Sequence, residues 1–186
     1  IDWDQKDNIL ESGKVDCLWG CYTMTGREEK YNWAGPYMCS RHVIVVRKDS
    51  SIKKLSDLNG RIVAAQVGTK PETLFLNKSN HLPKIKSLVT FKTIDEVISA
   101  LRKGYVDAIA AHEGVLRQYT KDEITQYRFL SESIYSAKLG VAFSKKGDQQ
   151  IADKLTKVLR KMVADGTVSR IVEKYSMNGI QSMARQ

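Results

Sequence analysis

Short apolar runs alternate along the chain with stretches whose apolar residues recur at helical spacing. Arg61 to Val67 and Ser87 to Phe91 are brief, bounded and rich in apolar residues, and they predict buried strands. Thr69 to Asn77 and Thr93 to Lys103 predict helices. Each opens on a Thr-x-x-Glu pattern, Thr69-Lys70-Pro71-Glu72 and Thr93-Ile94-Asp95-Glu96, so a capping box is expected at both starts. Pro71 falls where an early helical position tolerates proline. Gly114 to Thr120 predicts a further helix, and Tyr127 to Leu130 and Leu139 to Phe143 two further strands. From Asp148 onward Ile151, Leu155, Val158, Leu159 and Met162 mark one helical face. Asp165-Gly166-Thr167 punctuates that helix before Ile171 to Tyr175 resumes it.

A seven-residue unit occurs twice, as Leu10-Glu11-Ser12-Gly13-Lys14-Val15-Asp16 and as Leu101-Arg102-Lys103-Gly104-Tyr105-Val106-Asp107. Helical apolar positions precede each glycine, and an apolar run follows it: Cys17 to Trp19 in one copy, Ala108 to Ala111 in the other. Each copy therefore predicts the end of a helix and the start of a strand. The duplication predicts two related α/β lobes, and the alternation of strands with helices predicts mostly parallel sheets. Ligands of such sheets bind beyond the carboxyl ends of the strands, which directs attention to Gly20 to Arg27, Val67 to Lys70 and Ala111 to Gly114.

Composition narrows the classes. With 186 residues, 42% hydrophobic and 27% charged, the chain has ordinary globular content. No apolar run reaches the roughly 18 to 20 residues that span a bilayer, and no signal-like segment opens the chain, so any leader or anchor is expected to have been removed. The net charge of +9 is dispersed and lacks an aromatic platform, which argues against nucleic acid as a partner. Cys17, Cys21 and Cys39 fit neither a disulfide framework nor a zinc site. His42, His81 and His112 have no metal-ligand spacing, so no metal or other cofactor is expected.

Three places carry candidate chemistry. Arg27 follows the hydroxyl-rich loop Tyr22-Thr23-Met24-Thr25-Gly26, and its planar guanidinium matches a carboxylate through two parallel hydrogen bonds; the plain alternative is a surface pair with Glu28 or Glu29. Gln66-Val67-Gly68-Thr69 joins a strand to a helix, where the Thr69 and Lys70 amides suit an anion; the alternative is a capped helix and nothing more. His112 closes the second copy's strand, as a cleft residue or as a structural histidine.

In order and spacing these segments resemble the polar amino-acid family of ABC-transporter solute-binding proteins. The likeness extends over essentially the whole chain. It is carried by the helix-Gly-Lys-Val-Asp entry, Thr23-Met24-Thr25-Gly26-Arg27, Tyr31-Asn32-Trp33-Ala34-Gly35-Pro36-Tyr37, Leu55 to Gly60 before Arg61 to Thr69, Val106-Asp107-Ala108, Leu139 to Phe143, and Asp165-Gly166-Thr167 before Ile171 and Lys174-Tyr175.

The resemblance implies a type II periplasmic-binding-protein fold. Residues 1–41 and 139–186 would form lobe 1 and residues 42–138 lobe 2, with crossings near 38–41 and 135–139, and an amino acid or related carboxylate would be captured between the lobes. By position, Arg27 would clamp the α-carboxylate, Thr23 would bond the ligand, and Cys21 or Tyr22 would offer backbone groups. Thr69 and the Lys70 amide would complete the carboxylate site, Gln66 would approach the ligand's side chain, and Trp3 would form an aromatic wall.

It further implies an extracytoplasmic protein, periplasmic or lipid-anchored, that delivers its solute to an ABC-transporter membrane permease without catalysis. The same fold serves receptor ectodomains and cyclohexadienyl-type dehydratases; a dehydratase would need a general acid or base, for which His112 and Glu113 are the candidates. Two departures from the family stand out. His112 occupies the place of an aspartate that binds the α-ammonium. The family's opening strand, helix and strand have no counterpart ahead of Trp3, so lobe 1 is expected to be incomplete and open to self-association.

Overall fold

The computed structural model describes residues 1–79 and 81–174. A 3-10 turn, Trp3–Gln5, leads into α1 (Lys6–Glu11), and a long excursion follows before β1 (Asn32–Arg47). Then come β2 (Ile62–Gln66), α2 (Lys70–Leu76), β3 (Ser87–Phe91), α3 (Ile94–Arg102), β4 (Ala108–His112) and α4 (Glu113–Thr120). The chain continues through β5 (Tyr127–Phe143), α5 (Gln149–Ala164) and α6 (Thr167–Lys174). Tyr175, expected to extend the last helix, lies outside the described residues.

The chain is an α/β protein that divides into two compact units. One contains Ile1, Gln5–Ser40 and the chain from Ser136 on; the other contains Asp2–Asp4 and Arg41–Tyr135. Both β1 and β5 run through a unit boundary, at Ser40/Arg41 and at Tyr135/Ser136.

In the second unit the strands follow the order β3-β2-β4-β1-β5. β2 pairs in parallel with β3 and with β4, as the βαβ pattern requires, while β1 pairs antiparallel with β4 from His42↔His112 to Val46↔Ala108. The sheet is therefore mixed. Both of its faces are covered, which explains the unbroken apolar run Val43-Ile44-Val45-Val46. Val43, Val45, Ala64 and Ile109 face α3 and α4 through Val97, Leu101 and Leu116. Ile44, Val46, Val63 and Ala110 face α2 through Leu74 and Phe75, with Ile134 from β5 beside them. Each of these larger side chains contributes about 1.5–3 kcal/mol by leaving water.

In the first unit, Ala34, Val141, Ala152 and Leu159 form one small cluster and Met38 and Leu139 another. α5 starts where Asp148 accepts a hydrogen bond from Gln150 N at 2.8 Å, and it lays Ala152 and Leu159 on this core.

Three expectations are corrected. Tyr127–Leu130 and Leu139–Phe143 are parts of one strand, β5, with no turn between them. The run Cys17 to Trp19 makes only the isolated bridge Leu18↔Ala142, because the side chain of Trp19 stays in solvent and gives a strand nothing to bury there. The capping box forms at Thr93, whose hydroxyl accepts from Glu96 N while Glu96 accepts from Thr93 N, but not at Thr69. There Thr69 Oγ1 donates to Gln66 O at 2.6 Å and Glu72 accepts from Gly68 N at 2.7 Å. The repeat itself holds: Gly13 (φ 70°) and Gly104 (φ 75°) both end helices in the left-handed conformation.

Candidate ligand-binding site

In the first unit the segment 20–27 is laced onto β5 by its backbone. Gly140 N donates to Tyr22 O, Thr23 bridges Leu139, and Met24 N donates to Lys138 O. Thr25 Oγ1 accepts from Lys138 N, and Tyr22 N donates to Gly20 O. The side chains of Tyr22 and Thr23 are buried. Cys21 lies next to them, its thiol pushed up by burial. Cys17, Cys21 and Cys39 form no disulfide among the described residues.

Under this segment three aromatic rings meet. Tyr22 Oη and Tyr31 Oη are 2.6 Å apart, and Trp33 lies 5.5 Å from Tyr22 and 5.3 Å from Tyr31 between ring centres. Tyr31 Oη also donates to Asp7, which pairs with Lys30 at 2.7 Å. Burial raises the Asp7 carboxyl, but its bonds to Lys30 and Tyr31 outweigh that effect and hold it below the ordinary value.

Arg27 stands on this base. Its N donates to Met24 O, its carbonyl accepts from Trp33 Nε1 at 2.9 Å, and its guanidinium lies 5.2 Å above the Tyr22 ring. The expected alternative, a pair with Glu28 or Glu29, does not form: among the described residues no carboxylate pairs with Arg27. Arg27 is a half-buried cation with an aromatic face and, among the described residues, no acid partner.

In the second unit the candidates gather at the carboxyl ends of β2 and β4. Gln66 Nε2 donates to Lys92 O at 3.0 Å, which fixes its amide. Lys70 follows Thr69, and its Nζ sits 4.7 Å over the Tyr135 ring. Tyr135 packs on His42 at 5.8 Å, and His42 lies 3.9 Å from His112 between ring centres with the two rings tilted by 38°. A continuous row, Lys70, Tyr135, His42, His112, thus joins the start of α2 to the end of β4.

Sequence reasoning missed Tyr135 and His42 as members of this row. The signal was the pairing register: on an antiparallel pair, His42 directly opposite His112 places both imidazoles on one face. Trp3 lies half-buried in the opening 3-10 turn.

Glu113, adjacent to His112, has no free acid function. It is 1% exposed and accepts from Arg41 Nε at 2.9 Å and from Arg117 Nη2 at 2.7 Å. Arg117 also lies 4.6 Å over the Phe129 ring. Among the described residues no group of three or more His, Cys, Asp or Glu side chains is placed to hold a metal ion, and no helix is long and apolar enough to cross a membrane.

The family model of bacterial extracellular solute-binding proteins, family 3, matches residues 1–178. The chain belongs to this family. Among family relatives, the glutamate-binding protein GluB of Corynebacterium glutamicum is 29% identical over 176 residues, covering 90% of this chain and 58% of its own length. The histidine-binding periplasmic protein of Escherichia coli (strain K12) is 28% identical over 177 residues, covering 89% of this chain and 66% of its own. A solved structure, an ancestral arginine-binding protein bound to glutamine, superposes with a TM-score of 0.79 at 29% identity over 94% of this chain and 77% of that one. The chain thus spans about three fifths of the curated glutamate relative. The fold is that of type II periplasmic amino-acid-binding proteins, and the members of the family named here are binding proteins of amino acids.

Proposed function

We infer that this chain binds an amino acid or a closely related carboxylate outside the cytoplasm and passes it to the membrane permease of an ABC transporter. One observation carries the reading: the two candidate carboxylate contacts, Arg27 and Lys70, are cations that rest on tyrosine faces and pair with no acid among the described residues. A cation so held is orientated and only partly neutralised, which suits it to a ligand's carboxylate. The ligands of the glutamate, histidine and glutamine-bound relatives all carry that group.

In this reading Arg27 grips the carboxylate. Thr23, with the backbone at Cys21 and Tyr22, supports the grip in the first unit. Thr69, Lys70 and Gln66 act in the second unit, with His112 and Trp3 against the rest of the ligand. Self-association through the first unit completes the proposal, since Ile151, Val158 and Ile171 there are about half exposed.

Calorimetry with single amino acids, on the parent and on Arg27→Ala, tests the grip. Removing a charge-assisted pair from a binding site costs 2–5 kcal/mol, so affinity is expected to fall by about 100-fold or more. Equal affinity of the two proteins for the same ligand would remove Arg27 from the site.

A further inference from the structure

The face that α5 turns to solvent carries charge as well as apolar surface, and the charge points to its partner. Ile151, Lys154, Val158 and Lys161 are spaced i, i+3, i+7 and i+10, so they form one row along the helix, and all four are exposed. Among the described residues no carboxylate is in ion-pair contact with Lys154 or Lys161. Asp153, the one acid of α5, accepts from Gln149 Nε2 at 2.9 Å. Packing α5 against the α5 of a second copy would bring these lysines together in a chain whose net charge is already +9. Like charges across an interface oppose that arrangement, so the row calls for an acidic surface.

A second copy carries one. In the second unit, α3, the end of α4 and the 3-10 turn Lys121–Gln126 border a groove of about 470 Å³. Asp95, Glu96, Asp122 and Glu123 line it, with Arg102 as the only cation in the described lining, and Tyr119 beside them is 50% exposed. Glu96 is partly engaged in capping α3, and Glu123 lies 3.8 Å from Arg102. Asp95 and Asp122 take part in no hydrogen bond or ion pair among the described residues, which leaves both carboxylates to meet cations.

We propose that α5 of one copy docks in this groove of a second copy, its lysines meeting the groove's carboxylates while Ile151 and Val158 cover apolar surface such as the Tyr119 ring. This rests on the self-association read above and names its second surface. Because the two surfaces differ, the contact is head-to-tail, and association continues past the dimer unless a ring closes. The exposed charges also make the contact weaken with salt.

Sedimentation velocity over a concentration series tests this on four samples, with circular dichroism as the check on folding. They are the parent, a row variant (Lys154→Glu with Lys161→Glu), a groove variant (Asp95→Lys with Asp122→Lys) and an equimolar mixture of the two variants. The parent's weight-average mass is expected to rise with concentration, and less steeply in about 0.5 M than in about 0.05 M NaCl. Each variant alone is expected to stay monomeric, since like charges then meet. Their mixture is expected to regain the rise, because the row of one faces the groove of the other with opposite sign. Should the groove reversal unfold the protein, Asp95→Asn with Asp122→Asn replaces it, with a shallower rise than the parent's expected.

A folded groove variant that associates as the parent does overturns the inference and leaves self-association through α5 standing. A mixture of folded variants that stays monomeric overturns the inference as well. A parent that stays monomeric throughout removes self-association and the inference together, and leaves the ligand reading to its own calorimetry. If that monomer also floats with phosphatidylglycerol vesicles, the row belongs to an anionic lipid surface, which equally overturns the inference.

Discussion

Glu113 shows at the level of one residue how a nominal acid can be removed from a site's chemistry. Its carboxylate is buried against two guanidiniums whose outer edges reach solvent, with side-chain exposures of 37% for Arg41 and 33% for Arg117. Deleting the carboxylate strands two cations beside an apolar core. Glu113→Ala is expected to cost about 3 kcal/mol, at the low end for a broken buried pair because both arginines keep some water. Glu113→Gln, which preserves an acceptor, is expected to lose less. Urea unfolding measures both, and a change within about 0.5 kcal/mol for the alanine variant would mean that the arginines escape freely. At this scale the sequence was informative but incomplete. Arg27 was singled out by its hydroxyl-rich loop, and that its guanidinium pairs with neither Glu28 nor Glu29 became clear only in three dimensions. Tyr135 and His42 were not legible, since their roles depend on a strand register that no local pattern encodes.

Among the elements, α3 and the short strand β3 were read correctly, whereas the capping box at Thr69 and the long strands β1 and β5 were not. α3 announces itself through its period and through Thr93 and Glu96, and the structure forms both bonds of that box. β3 was found residue for residue. By contrast β1 carries a glycine, a proline and the polar residues Asn32, Ser40, Arg41, His42 and Arg47 among its sixteen, so no alternation marks it out, and the joining of two predicted strands into β5 required the surroundings of 131–138. β5 depends on one missing side chain. A Cβ on Gly140 would stand 2.9 Å from the Trp33 ring and 3.0 Å from Ala34 O. Gly140→Ala is therefore expected to destabilise the protein by about 1–3 kcal/mol, through displacement of Trp33 or of the β1 backbone. Thermal unfolding checks this, and an unchanged midpoint would show that the strand yields at no cost.

For the whole molecule the exposed apolar side chains of the first unit matter most. Among the described residues α5 leaves Ile151 and Val158 each 54% exposed. These two side chains lie seven residues apart and share one face of the helix. Self-association through that face is expected to appear in sedimentation velocity as a weight-average mass that rises with concentration. Val158→Glu is expected to abolish the rise; a parent that stays monomeric throughout would dismiss the interface. The same unit also contains Trp33, whose indole is only 8% exposed, hydrogen-bonded to the Arg27 carbonyl and packed against Tyr22, while Trp19 stands 59% exposed. A quencher dissolved in the buffer reaches Trp19 first and spares Trp33. The fluorescence that survives comes in good part from an indole tied to Arg27, so the protein carries an unlabelled optical gauge of that segment's surroundings.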